Sequence, residues 1–345
     1  MLRVIRLPHE EDDAPIASAL HEGLPLLDEV KDYVESNTKD VLAKLPPPLP
    51  HRRNKHIYLL ASIILIFSIF RTLTAVPYQQ GHFEVAKRES FGFFRDVPVQ
   101  VWNTKKHRVQ NQPKHNDKEL GLRSKYANRN SPSKWYNHNW QPNFDCQGLL
   151  RIGGHADSSK YVCDVHRIEP SKDCLIYSFG RGSPTSRTFD FAFEKELLAE
   201  LDGKCEIHFF DHRFVDEVDS KQLPKGVIAH NWSLEGEIDA PKARRGFMTL
   251  KETVHHLGHE GRNIEIMRVD CDGCEWHTYQ EWLTSGVTPR QVVVSLHGAP
   301  RNEDEIFEFM EKNNFVIFHR EADTRYGGIF QEYGFLRLKD SFFKT

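Results

Sequence analysis

Residues 264–276 read I-E-I-M-R-V-D-C-D-G-C-E-W. The first six predict a buried strand that runs into a carboxylate, Asp270, after which Gly273 turns the chain into a helix. Three acids, Asp270, Asp272 and Glu275, crowd that turn. In an open α/β sheet, ligands bind outside the carboxyl ends of strands, so a strand closing this way aims its acids at a site. The plain alternative is an acidic turn with an aspartate capping the next helix. The surrounding chain decides between them.

From about residue 146 onward, strand and helix patterns alternate. Apolar runs at 174–179, 205–210, 226–230, 264–269, 291–296, 315–319 and 329–338 predict strands. Helical patterns at 190–201, 249–257, 275–283 and 303–313 fall between them, the first with Asp190 as N-cap and ended by Gly203. Strands separated by helices predict a mostly parallel, Rossmann-like doubly wound α/β sheet of seven strands. The last two strands have no helix between them, so they are expected to close the sheet as an antiparallel hairpin.

The strand ends carry the chemistry. In a doubly wound sheet, glycine in the first turn lets a ligand approach the backbone, and an acid closing the second strand binds a ribose hydroxyl pair. Gly180 and Gly182 occupy the first turn, and Asp211 closes the second strand about thirty residues on. Asp270 closes the fourth strand and His297 the fifth. A dinucleotide fold calls for G-x-G-x-x-G opening a helix, whereas G-R-G-S-P-T-S at 180–186 lacks the third glycine and carries Pro184. S-adenosylmethionine has no phosphate, so a shorter glycine turn suffices for it. The terminal hairpin also fits a methyltransferase sheet better than a dehydrogenase sheet.

The order of motifs is also similar to that of a known family. G-G-H-A-D-S-S-K-Y-V-C-D (153–164), C-L-I-Y-S-F-G (174–180), D-F-A-F-E (190–194), C-E-I-H-F-F-D (205–211), R-V-D-C-D-G-C-E-W (268–276) and V-V-S-L-H (293–297) resemble the methyltransferase-like protein 24 family. That family looks like a relative of the FkbM-type methyltransferases, and the resemblance spans roughly 145–340. It implies a class I S-adenosylmethionine-dependent methyltransferase fold. Carried over, it implies that Gly180 and Gly182 approach the methionine part of the cofactor and that Asp211 holds the ribose. Asp270 would sit where donor meets acceptor, with Glu275 and Trp276 shaping that wall. Two positions depart from the pattern. Asp272 replaces the first glutamate of D-x-E-G-x-E-W, and Ser178, a cofactor-binding candidate, stands on the first strand before the glycines, where many methyltransferases place an acid.

Methyl transfer to a hydroxyl needs a base for the acceptor's proton. Asp270 and His297 are the catalytic candidates. A metal held by Asp270, Asp272 and His297 is chemically conceivable, since hard oxygen ligands suit magnesium, but no metal is expected. Six cysteines in 345 residues do not make a disulfide scaffold. Cys271 and Cys274 form a C-x-x-C without a second pair to complete a zinc site, so their spacing reads as a strand end followed by a helix start.

The rest of the chain sets the location. Composition is 39% hydrophobic and 28% charged with a net charge of −3, which describes one compact domain diluted by polar segments and predicts no polyanionic or nucleic-acid partner. Residues 1–55 form an acidic, proline-rich tail. Residues 56–76 contain a fourteen-residue uncharged run, Ile57–Phe70, and reach about twenty residues with Arg71 near the end, the length a bilayer core requires. The basic cluster at 51–56 precedes it, so a type II signal-anchor with a cytoplasmic tail and a lumenal C-terminal part, in the Golgi or ER, is expected. Residues 77–145 read as a polar basic stem, in which Trp135, Trp140 and Phe144 could dock onto a methyltransferase domain at 146–345.

The resulting expectation is a membrane-anchored methyltransferase that O-methylates an unidentified acceptor, a glycan or a protein. Ser178 and the thin glycine turn support the alternative of a catalytically inactive binding module with the same fold. A nucleotide-sugar enzyme of the Golgi is a third reading, since Asp270-Cys271-Asp272 formally matches a D-x-D motif.

Overall fold

The computed structural model describes residues 61–68, 81–112, 132–168, 173–180, 189–215, 219–236, 246–298 and 304–344. The chain divides into two units, Met1–Thr72 and Leu73–Thr345. In the first, residues 61–68 are helical and their side chains are exposed. Among the described residues no helix is long and apolar enough to cross a membrane. The 1–55 tail and most of the 56–76 segment lie outside the described residues, as does Gly182.

In the second unit the strands are β1 (Leu149–Ile152), β2 (Lys160–Cys163), β3 (Leu175–Phe179), β4 (Glu206–Phe210), β5 (Val227–His230), β6 (Ser233–Leu234), β7 (Phe247–Met248), β8 (Asn263–Val269), β9 (Thr288–His297), β10 (Phe315–Ala322) and β11 (Phe330–Arg337). Seven of them form one sheet in the order β10-β11-β9-β8-β3-β4-β5. The five strands from β9 to β5 are parallel, and β11 pairs antiparallel with both β9 and β10. The expected mixed sheet with its terminal hairpin is therefore present.

Side chains alternate across the sheet, as the two-residue period of a strand requires. On β3, Ile176 packs on one face, while Leu175, Tyr177 and Phe179 pack on the other. Helices among the described residues include α1 (Val99–Asn111), α2 (Pro132–His138), α3 (Ala192–Glu200), α4 (Leu250–Leu257), α5 (Glu275–Thr278), α6 (Asp304–Lys312) and α7 (Asp340–Phe343). Phe193 and Leu197 of α3 cover the Ile176 face, and Leu250, Val254, Ile306 and Phe307 of α4 and α6 cover the other. On β9, Val292, Val293, Val294 and Leu296 are all buried, each contributing about 1.5–3 kcal/mol. Asp190 accepts from the Ala192 and Ser158 backbone N–H groups, just ahead of α3. The predicted helix at 275–283 is one α-turn followed by a 3-10 turn at Tyr279–Leu283.

Part of the stretch read as a polar stem packs into this unit. Phe94, Trp102 and Phe144 are buried against one another and against Phe342 near the C-terminus. Trp135 is buried, and Trp140 stacks on Phe307.

The cysteine expectation is corrected. All six pair, as Cys146–Cys163, Cys174–Cys205 and Cys271–Cys274. Cys174 and Cys205 directly precede β3 and β4 and tie those neighbouring strands together at their start. The C-x-x-C is a disulfide that closes the turn after β8.

The hairpin β1–β2 was not foreseen. Buried Gln291 of β9 holds it to the sheet by accepting from the Cys163 N–H and donating to the Cys163 carbonyl. This contact brings Lys160, the first residue of β2, beside Asp270.

Candidate active site

Because β9, β8, β3 and β4 are consecutive and parallel, His297, Asp270, Gly180 and Asp211 fall in a row along one edge of the sheet. At about 4.8 Å between strands, the row spans roughly 15 Å, enough for a ligand of nucleoside size.

Asp270 is buried and sits between two buried cations. Its Oδ2 accepts from Lys160 Nζ at 3.2 Å and from Arg268 Nη2 at 2.9 Å. Burial opposes its charge, but Lys160, Arg268 and His297 outweigh it and hold the carboxyl down at about 2. Arg268 reaches on to the Gly180 carbonyl at 2.8 Å, to Ser178 Oγ at 3.1 Å and toward Glu194 at 3.8 Å. Ser178 donates to Glu194, and its side chain is fully buried within this network.

Gly180 has φ +90°, and a Cβ there would lie 1.7 Å from the Asp270 carbonyl oxygen. Glycine is therefore required for the first turn to close against the end of β8.

Asp211 is buried at the end of β4. Its carboxylate accepts two parallel bonds from Arg213, Nε at 2.9 Å and Nη2 at 2.7 Å, and a third from the Arg213 backbone N–H. The guanidinium, about one-third exposed, presents a pair of adjacent donors to this carboxylate, as a vicinal diol would. Both carboxylate oxygens are thus engaged by Arg213 in this structure.

Glu275 opens α5. It is fully buried, and its Oε1 accepts from the His297 backbone N–H at 2.7 Å and lies 3.0 Å from His297 Nδ1. Its Oε2 accepts from the Gly273 N–H. Trp276 Nε1 donates to the His297 carbonyl at 3.0 Å. Together they fix His297 between strand and turn. His297 Nε2 lies 3.8 Å from both Asp270 and Asp272, and Asp272 has φ +56°.

Burial disfavours the charged imidazole, yet Glu275, Asp270 and Asp272 override it and raise His297 to about 9. The charged imidazolium is therefore favoured near neutral pH. Its folded pKa exceeds the ordinary 6.5, so its stabilisation is complete below pH 6.5 and is lost as pH rises through about 9. The contribution amounts to about 3 kcal/mol. Urea melts from pH 6 to 9.5 should show this loss, and His297→Gln should flatten it. Equal slopes in the two proteins would contradict the assignment.

A small polar cleft opens beside Asp270 and His297. Glu332 lines it, accepting from Lys160 Nζ at 2.9 Å and from Ser295 Oγ at 3.4 Å. Burial, opposed by Lys160, raises the Glu332 pKa. The opposite side is built from Asp157, Asp323 and Arg325, with Arg325 paired to both acids. Tyr326 and Phe330 close it with rings 4.6 Å apart, and Phe330 meets His297 edge-on at 4.8 Å.

Sequence reasoning missed Lys160, Glu194, Arg268 and Glu332. Arg268 carried a signal, a cation inside a buried strand two residues before an acid. Lys160 and Glu332 carried none, because only tertiary pairing brings them together.

A family model described as methyltransferase domain matches residues 84–337. No curated protein matches the chain. Among solved structures, a fibrillarin/Nop5p complex aligns with TM-score 0.32 and 11% identity, over 48% of this chain and 74% of that one. The Methanococcus jannaschii fibrillarin pre-rRNA processing protein aligns with TM-score 0.31 and 8% identity, over 55% and 83%.

Proposed function

The chain belongs to the methyltransferase domain family and is an S-adenosylmethionine-dependent methyltransferase, and on that premise we propose that it O-methylates a saccharide hydroxyl. The bound cofactor supplies an electrophilic methyl group on a sulfonium. The observation that carries the acceptor class is the cleft beside Asp270. Its carboxylates Asp157, Asp323 and Glu332 offer acceptors for several hydroxyls, and Tyr326 and Phe330 offer an apolar wall for a sugar face.

The chain's own residues divide the work. Asp211 holds the ribose once Arg213 turns aside, and the Gly180 turn admits the methionine part. Asp270, pinned by Lys160 and Arg268, is too weakly basic to take a proton and acts as a fixed negative charge at the meeting point. Glu332, whose pKa is raised, accepts the proton of the attacking hydroxyl, and Lys160 orients it. The buried turn Asp270–Trp276 holds this geometry, which is where most of the rate of an in-line transfer originates. Glu332→Gln should lower kcat by ~10²–10⁴-fold while leaving S-adenosylhomocysteine affinity unchanged. An unchanged kcat would remove Glu332 from the reaction.

The reading extends to location. Within its family we propose that the chain is a member of the methyltransferase-like protein 24 group, a reading that the motifs at 153–164 and 268–276 support. Three disulfides support an oxidising compartment, and the apolar run Ile57–Phe70 after a basic cluster supports a Golgi or ER signal-anchor with the enzyme in the lumen. The test is incubation of the oxidised protein with methyl-labelled S-adenosylmethionine and glycoproteins. Label released with the glycans is the expected result, and label retained on the polypeptide would overturn the acceptor class.

A further inference from the structure

A second cluster lies away from the cofactor row. Glu206 opens β4, whereas Asp211 follows its end, so the two are separated by five residues, roughly 17 Å of strand. Around Glu206 gather His208 of β4, His259 of the turn after α4, and Arg262. His208 Nε2 lies 2.8 Å and His259 Nε2 3.6 Å from the same oxygen, Glu206 Oε1. All three ligand atoms lie within 4.8 Å of one another.

We propose that Glu206, His208 and His259 bind a divalent cation of the zinc type, with water completing a tetrahedron. The donor set is two imidazoles and one carboxylate, a combination that suits zinc. At zinc–ligand distances of about 2.0–2.1 Å, tetrahedral donors stand about 3.3 Å apart. The His259–Glu206 spacing already matches, and the His208–Glu206 hydrogen bond need open by only about 0.5 Å.

The outer contacts are those a metal site requires. Each of the three residues has its far atom held by a partner. His208 Nδ1 lies 2.8 Å from His230 Nε2, His259 Nδ1 lies 2.7 Å from the Tyr177 hydroxyl, and Glu206 Oε2 accepts from Arg262 Nη1 at 2.7 Å. These contacts hold both rings by Nδ1, and on metal binding the proton that His208 Nε2 gives Glu206 in this structure would leave. His208, His259 and Tyr177 are buried, so the rings cannot swing out to solvent. The ion would brace the start of β4 against the turn that leads into β8.

The test titrates the full-length oxidised protein, stripped with EDTA, with zinc chloride and separately with cobalt(II) chloride. One equivalent of zinc is expected, with a rise in Tm of about 5 °C at saturation. Cobalt should give the intense visible band of four-coordination. His259→Ala and Glu206→Gln should each weaken binding roughly tenfold or more and abolish that band. Glu206→Gln preserves the side chain's shape, so it serves where His259→Ala does not fold. Failure of the wild type to bind zinc, or binding that both variants retain at full affinity, overturns the proposal.

Discussion

Asp270→Asn is expected to cost roughly 3–5 kcal/mol of stability and to abolish methyl transfer. The carboxylate is the shared counter-ion of Lys160 and Arg268, whose side chains are 1% and 0% exposed. Asparagine keeps the shape but removes the charge. The two cations would then face Glu332 and Glu194, both of which burial drives toward the neutral form. Removing one partner from a buried ionic network is costly because the other partners cannot reach water. Equilibrium urea unfolding measures the loss, and a cycle with Lys160→Met isolates the pair. A loss under about 1 kcal/mol, the level of a surface ion pair, would show that the network is not buried as described.

Gly180→Ala is expected to be comparably severe, at about 3–5 kcal/mol, because two penalties add. The φ of +90° disfavours any side chain, and the new Cβ would sit 1.7 Å from the Asp270 carbonyl oxygen and 2.6 Å from its carbon. Both are backbone atoms, so relief requires the β3 turn to separate from the end of β8. That movement strains the Asp270 N–H bond to the Phe179 carbonyl and the Gly180 N–H bond to the Phe210 carbonyl. It also shifts Asp270 from the row. Gly203→Ala is the control, since Gly203 has φ +64° and nothing within 4 Å of its Cβ position. It should cost only about 1–2 kcal/mol. Equal losses for the two variants would mean that the collision is relieved without consequence.

How much of this could be read in advance follows from where each signal resides. β3, β4, β8 and β9 were legible because a central parallel strand must be apolar on both faces, and the residue after such a run stands out when it is Asp or His. That placed Gly180, Asp211, Asp270 and His297 on one edge without a structure. The roles were less legible than the positions. Glu275 reads as one acid among three, yet it is buried behind His297, and only its contacts distinguish it from exposed Asp272. Lys160 belongs to a four-residue strand flanked by polar turns, too short for a periodic pattern, and its partners lie 110 and 172 residues away. Six cysteines allow 15 pairings, and spacing selects none of them. The helix Val99–Asn111 buries little besides Trp102 and Lys105, so its composition looks like linker although Trp102 is fully buried.

The central claim is that the row from Asp211 to His297 holds S-adenosylmethionine. Calorimetric titration of the oxidised protein with S-adenosylhomocysteine tests it most directly, with Asp211→Ala alongside. The account predicts one site of micromolar affinity, about −8 kcal/mol, weakened at least tenfold by the substitution. Absence of binding, or equal affinity in the variant, would contradict it.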